Sequence, residues 1–78
     1  MTLYEFNTLA DDEKANAVWQ GSFLADREED GLKIQLYAVD NFFVELFYDA
    51  TENKITAFRS FNSKRLLAPY LAQITFDL

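Results

Sequence analysis

Between Ser22 and Phe61 the chain alternates four apolar-rich segments with short polar breaks. The segments are SFLADR, LKIQLYAV, FFVELFYD and KITAFRSF, and the breaks are EEDG, DN and ATEN. β-Branched and aromatic residues crowd the segments, while Asp, Asn, Glu and Gly crowd the breaks, as expected of strands and turns. Breaks this short can only reverse the chain, because a parallel crossover needs about a dozen residues or more. The pattern therefore predicts a four-stranded antiparallel meander.

Loop length also sets which residues face each other. Asp and Asn both tolerate positive φ, so Asp40-Asn41 reads as a two-residue turn. Val39 then opposes Phe42, Ala38 opposes Phe43, Leu36 opposes Glu45 and Ile34 opposes Phe47. ATEN as a four-residue loop sets Asp49 against Lys54, Phe47 against Thr56, Glu45 against Phe58 and Phe43 against Ser60. EEDG as the first loop sets Arg27 against Leu32, Asp26 against Lys33, Ala25 against Ile34 and Phe23 against Leu36. Opposite charges meet in the Asp26–Lys33 and Asp49–Lys54 pairs, which favours this register.

In this register one face carries Phe23, Ala25, Ile34, Leu36, Ala38, Phe43, Phe47 and Phe58. It is the expected core, with both helices packed on it. The other face is split. Ser22, Asp26, Lys33 and Gln35 make its first half polar. Phe42, Val44, Leu46, Tyr48, Ile55, Ala57 and Phe61 make its second half apolar, with Tyr37 at the border and Arg59 among them. Covering several hundred Å2 of such surface contributes several kcal/mol, at roughly 25 cal/mol per Å2, before association entropy is subtracted. Tyr, Phe and Arg are also the residues that anchor interfaces. The expected protein-contact surface is thus Phe42, Val44, Leu46, Tyr48, Ile55, Arg59 and Phe61, for a protein partner or a second copy. The alternative cover is the chain's own LYEF segment or ITFDL tail.

Helical signals flank the strands. Thr8 followed by Asp11 resembles a helix-start box, although Glu or Gln is the favoured third residue. Asp11, Asp12 and Glu13 then suit the positive end of the dipole. Leu9, Ala15, Val18 and Trp19 form a stripe that Gly21 ends, predicting a helix over about 9–20. Near the other end Asn62 or Ser63 can cap a short helix with Leu66, Leu67, Tyr70 and Leu71 on one side. Pro69 kinks that helix or restarts it, and ITFDL follows as a tail or short edge strand. The predicted fold is α+β, one domain over 1–78: a four-stranded antiparallel meander sheet flanked by an N-terminal helix and a short C-terminal helix.

Composition narrows the chemistry. Without Cys or His there are no disulfides, thiolate nucleophiles or imidazole bases, and the usual zinc and haem ligands are missing. DREEDG has the acid density of a calcium loop, but LKIQL follows where the distal Glu should stand. A solvated hairpin turn explains those acids. Glu45 on the core face could have its carboxyl pKa raised by desolvation, yet no second acid or base is placed to assist it. Arg59 stacks on Phe58 and Phe61 or meets an acid. No catalytic residue, metal or cofactor is expected.

The net charge of -6 is unevenly spread. Residues 1–52 hold twelve acids against Lys14, Arg27 and Lys33; residues 53–78 hold Lys54, Arg59, Lys64 and Arg65 against Asp77. That balance opposes phosphate binding despite the basic edge, so nucleic acid is not an expected partner. No apolar stretch reaches the roughly 18 residues of a membrane span, and the start lacks the features of a signal peptide. A cytoplasmic location is expected. No motif long or specific enough to mark a family emerges. The leading expectation is a non-enzymatic protein-interaction or regulatory module, self-associating or not through one sheet face. The alternative is a small acidic inhibitor or immunity-type protein that blocks a basic site, using Asp26 to Asp30 with Asp11 to Glu13.

Overall fold

The computed structural model describes residues 1–73. Its sheet has the order β1 (Ser22–Glu29), β2 (Leu32–Val39), β3 (Phe42–Asp49) and β4 (Lys54–Phe61), all antiparallel. Helices α1 (Leu3–Asn7) and α2 (Asp11–Trp19) precede it, and a 3-10 helix (Lys64–Tyr70) follows. The α+β meander is thus as the pattern predicts. The ITFDL tail lies outside the described residues.

The β2–β3 register is the predicted one, from Val39–Phe42 to Ile34–Phe47. The first hairpin is longer. Asp30 and Gly31, at φ 52° and 80°, make its turn alone, so Ala25 pairs with Leu36 and Glu29 with Leu32. Positive φ at both central positions is what a type I′ turn demands, and Asp-Gly supplies it. This correction slides β1 by two residues and leaves its faces unchanged.

Two bulges do change faces. One lies in β1 between Phe23 and Ala25 and turns Phe23 to the side of Tyr37. The other places an extra residue in β4, so Phe47 pairs with Ala57 while Tyr48 pairs with Ile55. Beyond it Glu45 meets Arg59 rather than Phe58, and Phe43 meets Phe61 rather than Ser60. Phe58 moves to the Phe42 side; Ala57, Arg59 and Phe61 move to the Glu45 side. Each edge strand carries one bulge, which also spoils it as a template for further strands.

The two faces are covered by different elements, correcting the expectation of both helices on one face. α1 and α2 lie on the Phe42 face. There Phe6 and Val18 are buried with Val39, Phe42, Val44 and Leu46. Phe6 sits between Phe42 and Phe58, with ring centroids at 5.7 and 6.3 Å. The LYEF segment is therefore the cover that Phe42, Val44 and Leu46 need. It starts where Thr2 and Glu5 form a capping box: Glu5 donates its N–H to the Thr2 hydroxyl and accepts the Thr2 N–H at 2.8 Å. α2 begins after Ala10, not Thr8, and the Glu13 carboxylate accepts the Ala10 N–H at 3.0 Å. Gly21 then lets the chain cross close to β2, since a methyl group there would overlap the Ala38 carbonyl oxygen.

On the other face the 3-10 helix lays Leu67 and Tyr70 over Ala25, Leu36 and Phe61. Three residues per turn put Leu67 and Tyr70 on one side, while Leu66 and Leu71 stay exposed. This corrects the four-residue apolar side predicted for an α-helix.

Candidate functional site

Helix length explains what remains open on the Phe42 face. A nine-residue helix is about 14 Å long, whereas an eight-residue strand is about 27 Å. Two short helices cannot cover four such strands. They close the end near Val39 and Phe42 and leave the end nearer the β1–β2 turn bare. At the border stands Trp19, the last residue of α2, 59% exposed. With Gln35, Leu46, Tyr48 and Ile55 it lines a shallow concavity of about 250 Å3. Phe23, 54% exposed, packs edge-on against Tyr37 on the same face. The Tyr37 hydroxyl donates to Gln35 at 3.1 Å, and that of Tyr48 to Asn53.

Gln35 also lines a second concavity of about 250 Å3, shared with Asp26, Arg27, Glu28 and Lys33. Cross-strand pairing sets Asp26 beside Gln35 beside Leu46, and Glu28 beside Lys33 beside Tyr48. An apolar seat and an acidic step thus adjoin across three strands.

Of the seven residues expected to form a contact surface, two remain on this site's rim. Tyr48 and Ile55 are half-buried there. Leu46 is its floor, only 3% exposed. Phe42 and Val44 lie beneath α1 and α2, so they belong to the core. Phe61 is buried on the opposite face against Phe43, and Arg59 is on that face too. The β4 bulge separates these last two from the rest. Trp19 and Gln35 take their place. The stripe reading places Trp19 on the buried side, but as the last residue of α2 it stands past the covered end of the sheet, exposed, while Val18 is buried.

The opposite face holds a polar cluster. Glu45, 2% exposed, accepts from the Tyr70 hydroxyl at 2.6 Å, Arg27 Nη2 at 3.1 Å and Arg59 Nη1 at 3.5 Å. Arg27 also donates Nε–H to the Tyr70 hydroxyl at 3.2 Å, stacks over its ring and pairs with Glu29. Burial opposes the Arg27 charge, but hydrogen bonds to Glu29, Tyr70 and Glu45 outweigh it and hold the guanidinium above its ordinary pKa. Burial, reinforced by the bond to Glu45, pushes the Tyr70 phenol well above its usual value. Among the described residues no buried side-chain polar atom lacks a partner. A carboxylate held by three donors is a fastener for the 3-10 helix. Gln73 adds a clamp, accepting the Asp26 N–H at 3.2 Å and donating to the Asp26 carbonyl at 2.5 Å on the edge of β1.

The acids of the first hairpin lie as expected at an exposed turn, and those of α2 occupy its first turn. Among the described residues no acid cluster has metal-binding geometry, and no helix is long and apolar enough to cross a membrane. Comparison with protein-family models, curated proteins and solved structures finds no match to this chain.

Proposed function

We propose that the chain is a non-enzymatic protein-interaction module whose contact surface is the part of the helix-bearing face left open beside Trp19. One observation carries the reading: the large ring of Trp19 stands exposed at a concavity walled by Tyr48 and Ile55 and floored by Leu46. Grouped apolar exposure of this kind marks contact sites, and Trp and Tyr dominate interface energies. The concavity, about 250 Å3, is below the roughly 300 Å3 at which small-molecule sites begin. It suits one inserted side chain better than a substrate. Glu45, the carboxyl most shielded from water, is committed to Tyr70 and two arginines, which supports a role without catalysis.

The test is a comparative pull-down with wild type, Trp19→Ala and Tyr48→Glu, folding being checked by circular dichroism. Proteins held by wild type should be lost from both variants, and undiminished retention would discard the surface. Sedimentation over a wide concentration range extends the test to self-association. A second reading, the small acidic inhibitor, draws on the exposed carboxylates of Asp26, Glu28 and Asp30 and of Asp11 to Glu13. Binding of that kind should weaken steeply with salt, whereas an apolar contact should not.

A further inference from the structure

Resting on that reading, we propose that the occupant of the groove is a basic peptide segment of another protein. One bulky apolar side chain enters the seat between Trp19 and Tyr48, and a lysine or arginine lies over Asp26 and Glu28. The two concavities adjoin through Gln35, so a single extended segment spans both. Asp26 and Leu46 lie on strands two spacings apart, about 10 Å, and an extended peptide rises about 3.3 Å per residue. Anchor and cation should therefore stand two or three residues apart.

The acids are free to receive that cation. Among the described residues neither Asp26 nor Glu28 forms a salt bridge. Arg27, between them in sequence, is occupied on the opposite face by Glu29, Glu45 and Tyr70. Lys33 pairs with Glu28 across the strands but makes no ion pair with it. Within the groove Asp26 and Glu28 are opposed by Lys33 alone, because Arg27, which also lines it, is bonded to Glu45 and Tyr70. That small excess of acid draws in a basic segment.

Selection of phage-displayed random dodecapeptides on the immobilised full chain tests this. Enriched peptides should carry an aromatic or branched apolar residue with Lys or Arg two or three positions away. Trp19 is the only tryptophan, so a synthetic copy of an enriched peptide should shift its emission saturably. Asp26→Asn and Glu28→Gln should each weaken that peptide about two- to fivefold, as expected for exposed ion pairs. Lys33→Gln should strengthen it, and Trp19→Ala should abolish it. Peptides that need Trp19 but lack basic residues, or ignore Asp26→Asn and Glu28→Gln, would overturn the basic-partner inference and leave the groove intact. A dimer dissolved by Tyr48→Glu would do the same, with a second copy as the occupant. An empty selection, or peptides indifferent to both Trp19→Ala and Tyr48→Glu, would remove groove and partner together.

Discussion

The two faces of this sheet are closed by different physics. On the helix side, Phe6 and Val18 press onto Val39, Phe42, Val44 and Leu46 with no polar group among the buried side chains. On the 3-10 side, Leu67 and Tyr70 cover a smaller apolar patch, and the Tyr70–Glu45–Arg27 chain fastens the segment. Apolar contact is tolerant of direction, so two short helices can hold one end of the face and leave the other bare. A buried carboxylate tolerates no such slack, because every lone pair needs its donor. The apolar face therefore stays partly open, while the polar face has no slack around Glu45.

The largest test of this contrast pits one residue from each face against the other. Phe6→Ala should cost about 3–5 kcal/mol in urea unfolding, as ring removal from a core does, and should uncover Phe42 to a dye that binds apolar surface. Glu45→Gln should cost about 1–3 kcal/mol, since it removes the buried charge to which Tyr70, Arg27 and Arg59 donate, but should uncover little apolar surface. Equal dye binding by both variants would erase the distinction.

A smaller effect isolates the fastener. Tyr70→Phe should cost about 1–2 kcal/mol at neutral pH by leaving Glu45 short of a donor. The fold raises the Tyr70 pKa, so the native state keeps a proton that the unfolded chain releases near pH 10. That contribution is fully present below about pH 10 and is lost as pH climbs toward the raised native value. Wild type should accordingly lose stability more steeply than Tyr70→Phe between pH 9 and 11, those being roughly one unit either side of the free phenol. Parallel curves would mean that Tyr70 is not the alkaline-sensitive group.

The smallest effect concerns the edge of β1. Gln73→Ala removes two exposed hydrogen bonds to Asp26 and should cost about 1 kcal/mol or less. Faster amide exchange at Asp26, with the β2–β3 amides unchanged, is the expected sign. Unchanged exchange at Asp26 would show that the clamp adds nothing.

How far the residues announce this arrangement depends on where single-residue irregularities fall. The β2–β3 hairpin was legible pair by pair, because Asp40-Asn41 joins two regular strands. Reading EEDG as a loop displaced β1 by two residues, harmlessly for its faces, although Asp30-Gly31 carries a turn signal of its own. The bulges were not legible. One extra residue in β4 exchanges the faces of Phe58, Arg59 and Phe61, and nothing in KITAFRSF marks where it sits. For the candidate site, Tyr48 and Ile55 were readable from alternation, whereas Trp19 was assigned to the interior. The Thr2–Glu5 box could have revealed α1, and with it the cover over Phe42. Arg27, Tyr70 and Gln73 as partners of Glu45 and Asp26 depend on contacts between residues distant in sequence, which no local pattern encodes.

The chain closes its own apolar face with Phe6 of α1 and Val18 of α2 and leaves the groove beside Trp19 open. Isotope-filtered nuclear Overhauser spectra on an equal mixture of labelled and unlabelled chains test it most directly. Contacts from the Phe6 ring to Phe42 and Phe58, and from Val18 to Val39, should all arise within one chain. The same contacts found between chains would mean that α1 and α2 cover a second copy, and would return the Phe42 face to self-association.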